Sequence, residues 1–241
     1  MNLPRLSNAA LTLLTACTVG AAPVVVFDTD FNGAVPAQIS GITTTESVQG
    51  YAGLGPVGNQ FGGNLLRNTG VGATTLSLNG LPAHDSVDLN FLLAVIDSWD
   101  GLTTSGGTVP PDFFNIQIDG GAPIQMSFDF RDPADQGFIP AGATQLSYGA
   151  HLGFSGNWED GAYDMGTAGV FSFPHSASTL TVSFFASGGG FQGGADESWG
   201  IDNLSVSIDA RRGVPETGST LLMLFSGLIG TLALKRRFAR L

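Results

Sequence analysis

The chain has 241 residues, 35 of them glycine, and only 12 % are charged side chains. That composition suits a β-rich domain with many tight turns and disfavours a helical enzyme, because glycine weakens helix interiors and supplies turns. The formal charge is −11, and between residues 23 and 210 two arginines stand against 19 of the 20 acids, a formal −17 that repels anionic lipid and excludes nucleic acid as a partner.

The first predicted element is a signal peptide over residues 1–22. Arg5 stands in a short basic region, residues 9–16 are apolar, and Gly20, Ala21 and Ala22 follow as small residues near a cleavage point. The apolar stretch is too short to span a bilayer, which takes about 20 residues. Leu14-Thr15-Ala16-Cys17 also resembles the lipobox of bacterial lipoproteins, which implies lipidation at Cys17. The other reading is an ordinary signal peptide cut near Ala21. Cys17 is the single cysteine, so an intrachain disulfide and a Cys-based zinc site are both excluded. His84, His151 and His175 are far apart and lack metal-ligand spacing.

Residues 23–210 read as one all-β domain. Val87, Leu89, Phe91, Leu93 and Val95 alternate with polar or outward positions, and so do Phe114, Ile116 and Ile118. Leu180, Val182 and Phe184 form a third series, and Leu204, Val206 and Ile208 a fourth. Period-two alternation marks half-buried strands. Asp119-Gly120-Gly121 predicts a hairpin turn into the strand that follows. Ile201 is out of phase with Leu204, which predicts a bulge at Asp202-Asn203. Residues 136–169 alternate poorly and are read as long loops over one end. The economical architecture is an antiparallel β-sandwich, jelly-roll-like, flanked by the signal helix and a C-terminal hydrophobic helix. Residues 81–101 (LPAHDSVDLNFLLAVIDSWDG) and 195–208 (ADESWGIDNLSVSI) resemble the strand-plus-turn and closing-strand segments of extracellular jelly-roll modules of secreted bacterial proteins.

Two groups of side chains carry chemistry in this domain. Asp97, Asp100, Asp196, Glu197 and Asp202 lie in and beside two Asp/Glu-Ser-Trp turns. If their strands neighbour one another, these hard oxygen ligands converge on a site of the kind Ca²⁺ requires. The competing reading has Asp97 and Asp202 capping turns while Trp99 and Trp199 pack in the core. Around residues 151–166, Trp158, Glu159 and Tyr163 combine aromatic faces with a carboxylate, which suits a sugar ring. The competing reading is an aromatic loop folded onto its own sandwich. A glycosidase using Glu159 and Glu197 as paired carboxylates is the alternative class of function. No Gly-x-Ser-x-Gly elbow or His-Glu-x-x-His motif is present.

The last element, residues 211–241, is tripartite. Val214, Pro215, Glu216, Thr217 and Gly218 precede an apolar segment at 219–234, and Lys235, Arg236, Arg237 and Arg240 close the chain. The largely apolar run 221–234, 14 residues, makes about 21 Å of helix at ~1.5 Å per residue, short of the ~30 Å hydrocarbon core. The basic end keeps to the cytoplasmic side by the positive-inside rule. This arrangement resembles the PEP-CTERM class of bacterial sorting tails, in its Val-Pro-Asp-Ser-Gly variant, with Glu216 for the Asp and Thr217 for the Ser. The resemblance implies an exosortase-type membrane protease as partner. It also implies anchorage in the inner membrane before transfer to the cell surface. A plain C-terminal membrane anchor predicts the same orientation. Taken together, the chain is expected to be an exported structural or adhesive protein of a bacterial envelope or extracellular matrix. Extracellular polysaccharide is its expected ligand.

Overall fold

The computed structural model describes residues 22–42, 44–102, 110–155 and 157–210. The signal peptide, Cys17, the sorting motif at 214–218, the apolar segment and the basic end all lie outside these residues, and so do both expected flanking helices. Among the described residues no helix is long and apolar enough to cross a membrane.

The chain runs through β1 (Val24–Thr29), β2 (Ile39–Gly41), β3 (Thr44–Ser47), β4 (Asn64–Asn68), β5 (Thr74–Asn79) and β6 (His84–Asp97). It continues through β7 (Asp112–Ile118), β8 (Ile124–Met126), β9 (Thr144–Ala150), β10 (Asp160–Asp164), β11 (Ser172–Pro174), β12 (Thr179–Gly188) and β13 (Glu197–Ala210). They form two antiparallel sheets. The larger has the order β3-β4-β13-β6-β10-β9, with β1 also paired to β13 and β11 also paired to β6. The smaller has the order β2-β5-β12-β7-β8. The links β4–β5, β5–β6, β6–β7, β11–β12 and β12–β13 each pass from one sheet to the other, so the two sheets close over one core as a sandwich.

The alternating positions fill that core. Val87, Leu89 and Phe91 of β6 face Leu180, Val182 and Phe184 of β12 across it, all essentially buried. At its centre the rings of Phe91 and Phe184 meet edge-on at 5.5 Å between centroids, and Phe114 meets Trp199 at 5.1 Å. Edge-to-face pairs of this kind add to the large apolar area that aromatic rings remove from water.

Beyond Phe91 the alternation in β6 gives way to a continuous apolar run. The reason is a second, smaller core on the other face of the larger sheet. Leu92, Ala94 and Ile96 pack there against Tyr51, Phe61 and Leu65. Tyr51 holds this cover down by donating its hydroxyl to the Val95 carbonyl at 2.9 Å. A strand covered on both faces loses the period-two signature.

The two predicted local irregularities are present. Asp119 and Gly120 both take positive φ, 49° and 68°, as the two central residues of a type I′ hairpin turn require. The register of β13 against β6 shifts between Asp202 and Ser205, with Asn203 at φ 49°. One expectation is corrected. Residues 136–169 are not only loops, because β9 and β10 lie within them and form one margin of the larger sheet. All five residues of β10 are buried, and β9 is an edge strand with its residues half-buried or exposed, so neither alternates.

Phe184→Ala removes the ring that touches Phe91, Phe114 and Trp199 at once. It is expected to cost about 3–5 kcal/mol, read as a lowered midpoint in chemical denaturation followed by tryptophan fluorescence.

Candidate functional site

β6 and β13 pair along their whole length, and Glu197 stands opposite Asp97. The two Asp/Glu-Ser-Trp turns therefore meet at one end of the sandwich. Asp97 takes φ 68°, a left-handed conformation that ends the strand and redirects the chain. Ser98 donates its backbone N–H to the Asp196 carbonyl at 3.1 Å and its hydroxyl to the same carbonyl at 3.1 Å. Trp99 donates its indole N–H to the Ser198 carbonyl at 2.9 Å. Trp99 and Trp199 are both buried, as core packing predicts.

A cleft of about 200 Å³ opens above this junction. Its walls are residues 97–100, Asp129 to Arg131, Trp158 with Glu159, and Gln192 with Asp196. Five carboxylates line it against one cation. The Arg131 guanidinium lies 4.4 Å over the Trp158 ring and 3.8 Å from a Glu159 carboxylate oxygen. At 57 % and 33 % side-chain exposure that ion pair is worth little to stability. Asp129 shapes the wall by accepting the N–H groups of Arg131 and Asp132 at 2.7 and 2.9 Å.

Beneath the cleft lies a tighter group. Asp100, Asp112 and Glu197 bring carboxylate oxygens within 4.8 Å of one another. Asp112 and Asp100 lock each other in place. The Asp100 N–H donates to Asp112 Oδ2 at 2.7 Å, and the Asp112 N–H donates to the Asp100 carbonyl at 2.9 Å. Glu197 Oε2 accepts the Gln192 N–H at 2.5 Å. Asp112 Oδ1 and Glu197 Oε1 are buried with no hydrogen-bond partner. Close approach of two backbones makes this possible. A Cβ on Gly190 would stand 2.2 Å from the Pro110 carbonyl oxygen and 2.8 Å from Asp112 Oδ1, so only glycine fits. Burial pushes the Asp112 carboxyl up to about 6 and the Glu197 carboxyl up to about 8.

The residues expected from sequence are distributed as follows. Asp97, Asp100 and Asp196 line the cleft with Trp158 and Glu159, and Glu197 lies under it. Asp202 is five residues along β13 from Glu197, roughly 16 Å away at ~3.3 Å per residue. It takes no part in this group, and instead accepts the N–H groups of Gly62 and Asn203 at 3.1 and 2.7 Å, which pins the bulge. Tyr163 is corrected as a ligand contact. Its ring is fully buried against Phe128 at 5.1 Å between centroids and does not reach the cleft. Asp112, Asp129 and Arg131 were missed. Asp112 opens a strand of the opposite sheet, and only its Pro-Pro-Asp context marked it as a strand start.

Glu197 has no exposed surface and does not line the cleft, so Glu159 and Glu197 do not face one substrate together. A second, larger groove of about 830 Å³ crosses the outer face of the larger sheet, lined by Asp28, Asn59, Asn90, Asp164, Asn203 and Ser205 among others, with no aromatic side chain.

No protein-family model matches the chain, and comparison with curated proteins returned no match. Among solved structures it is similar to the xylan-binding CBM22-1 domain of Paenibacillus barcinonensis Xyn10C, at 13 % identity and TM-score 0.38 over 79 % of this chain and 98 % of that one. It is also similar to the CBM22-1–GH10 modules of Clostridium thermocellum Xyn10B, at 7 % identity and TM-score 0.37 over 79 % and 29 %. A third likeness is to BtGH115A, a 4-O-methyl-α-glucuronidase, at 12 % identity and TM-score 0.34 over 82 % of this chain. This chain spans 19 % of the length of that enzyme. At such identities and TM-scores these likenesses carry no argument about ligand or activity.

Burial also pushes Asp160 and Asp202 up to about 6 from 3.8. A carboxyl whose folded pKa is raised adds stability that is fully present below pH 3.8 and lost as pH rises through about 6. In a chelating buffer the melting midpoint is therefore expected to be higher near pH 4.5 than near pH 7.5. A midpoint that rises towards neutrality contradicts these burial effects.

Proposed function

We propose that this chain is an exported structural or adhesive protein of a bacterial cell surface or extracellular matrix, whose acidic cleft binds extracellular polysaccharide. The observation that carries the reading is the pairing of Trp158 and Arg131 inside a carboxylate-lined cleft. An aromatic ring offers its face to the C–H face of a sugar, carboxylates accept sugar hydroxyls, and a guanidinium donates to ring or hydroxyl oxygens. The cleft is smaller than the ~300–1,000 Å³ usual for drug-sized ligands, which suits a short stretch or an end of a glycan. We read a binding module and not a glycosidase, because Glu197 is enclosed while Glu159 faces the cleft.

The remainder of the reading rests on the sequence outside the described residues. The signal peptide supports export. The Val214–Gly218 motif, apolar segment and basic end support temporary anchorage in the inner membrane and sorting by an exosortase-type protease. The crossings between the two sheets support a jelly-roll-like variant of the sandwich.

Affinity electrophoresis of the full chain in gels containing bacterial exopolysaccharide tests the ligand. Trp158→Ala is expected to weaken retardation roughly tenfold, about 1.4 kcal/mol, while Asn90→Ala in the larger groove leaves it unchanged. The opposite pattern moves the site to the groove, and no retardation of the parent chain overturns glycan binding. Deleting residues 221–241 is expected to move the protein from the membrane fraction to the soluble fraction of the producing cells. Retention in the membrane points to lipid on Cys17 instead.

A further inference from the structure

The group beneath the cleft poses a problem of charge. Asp112 and Glu197 are fully buried, at 0 % exposure, each has one oxygen without a partner, and carboxylate oxygens of the two and of Asp100 lie within 4.8 Å of one another. An unpaired buried carboxylate is costly, and three side by side more so. Between residues 23 and 210 the sequence supplies only two lysine or arginine side chains for relief, Arg67 and Arg131. Arg67 is engaged by Glu46 at 3.0 Å and by the Ser198 hydroxyl at 3.0 and 2.9 Å. Arg131 lies over Trp158.

From this geometry we infer that Asp100, Asp112 and Glu197 bind a hard divalent cation of the calcium class at the junction of the two sheets. Three oxygens within 4.8 Å of one another leave a common centre at most about 2.8 Å from each, so a small closure brings all three to the ~2.4 Å Ca²⁺–oxygen distance. Carboxylate oxygens without nitrogen or sulfur donors select hard cations. The three ligands come from three separate pieces of chain. Asp100 follows β6, Asp112 opens β7 in the smaller sheet, and Glu197 opens β13 in the larger. An ion there ties the sheets together directly under the cleft, and it stands whether or not the cleft binds a glycan.

The experiment uses the purified full chain, with CaCl₂ and TbCl₃ as probes. Tb³⁺ emission excited through tryptophan reports the site because Trp99 adjoins Asp100. A single saturable Tb³⁺ site displaced by Ca²⁺ is expected, together with a melting midpoint higher in millimolar Ca²⁺ than in EDTA. Asp112→Asn and Glu197→Gln are each expected to weaken Tb³⁺ binding by roughly a hundredfold while leaving the midpoint in EDTA unchanged or higher. Asp209→Asn, exposed at the far end of β13, is expected to leave the tight site intact. Should a variant fail to fold, the parent chain in EDTA against Ca²⁺ still decides. Equal midpoints with no saturable Tb³⁺ site overturn the inference and leave a proton shared between Asp112 and Glu197. Tight binding that survives both substitutions overturns it too, by placing the ion elsewhere.

Discussion

The antiparallel pairing of β6 with β13, in the register that sets Asp97 opposite Glu197, is the constraint on which the rest depends. Side chains alternate sides along a strand, so a slip of one residue would send every inward residue of β13 to the opposite face. The register is held by apolar pairs at one end, Val87 with Ile208 and Leu89 with Val206. It is held at the other by the bonds from Ser98 and Trp99 to Asp196 and Ser198. The same bonds bring two acidic turns side by side. The fold thus concentrates like charge as a direct result of its core packing.

That concentration is met in different ways along one strand pair. Asp97 accepts the Ser155 hydroxyl, and its backbone N–H is held by Asp160 at 2.9 Å. Asp202 accepts two backbone N–H groups. Asp112 and Glu197 are each left with one unpaired oxygen. Buried polar atoms in folded proteins almost always find partners, so these two, with Asp97 Oδ2 in the same turns also unpaired, are informative atoms of the junction.

Much of this arrangement was legible in the sequence, for reasons that can be named. Strands with one wet face, such as β12, carried their period openly. The Asp-Gly turn and the bulge at Asp202-Asn203 were legible because each breaks a pattern locally. β9 and β10 were hidden because one is an edge and the other is covered on both faces. The cleft was half visible: the Ser-Trp turns showed Asp97, Asp100 and Asp196, and the aromatic loop showed Trp158 and Glu159. Tyr163 misled because a tyrosine in an aromatic loop reads the same whether it points in or out. Asp112 and the adjacent pair Asp129 and Arg131 come from stretches of chain apart from the Ser-Trp turns, and only tertiary packing, against Gly188–Gly190 and Trp158, brings them to the site.

Val24 of β1 pairs with Ile208 of β13, so both covalent continuations of the domain depart from the same pole. Glu197, at the other end of that strand, stands roughly 40 Å away at ~3.3 Å per residue. Whichever flank tethers the molecule, the cleft is carried at its distal tip. Under the proposed anchorage and glycan binding, tether and cleft would sit at opposite ends, with the full height of the sandwich between a bound partner and the surface below.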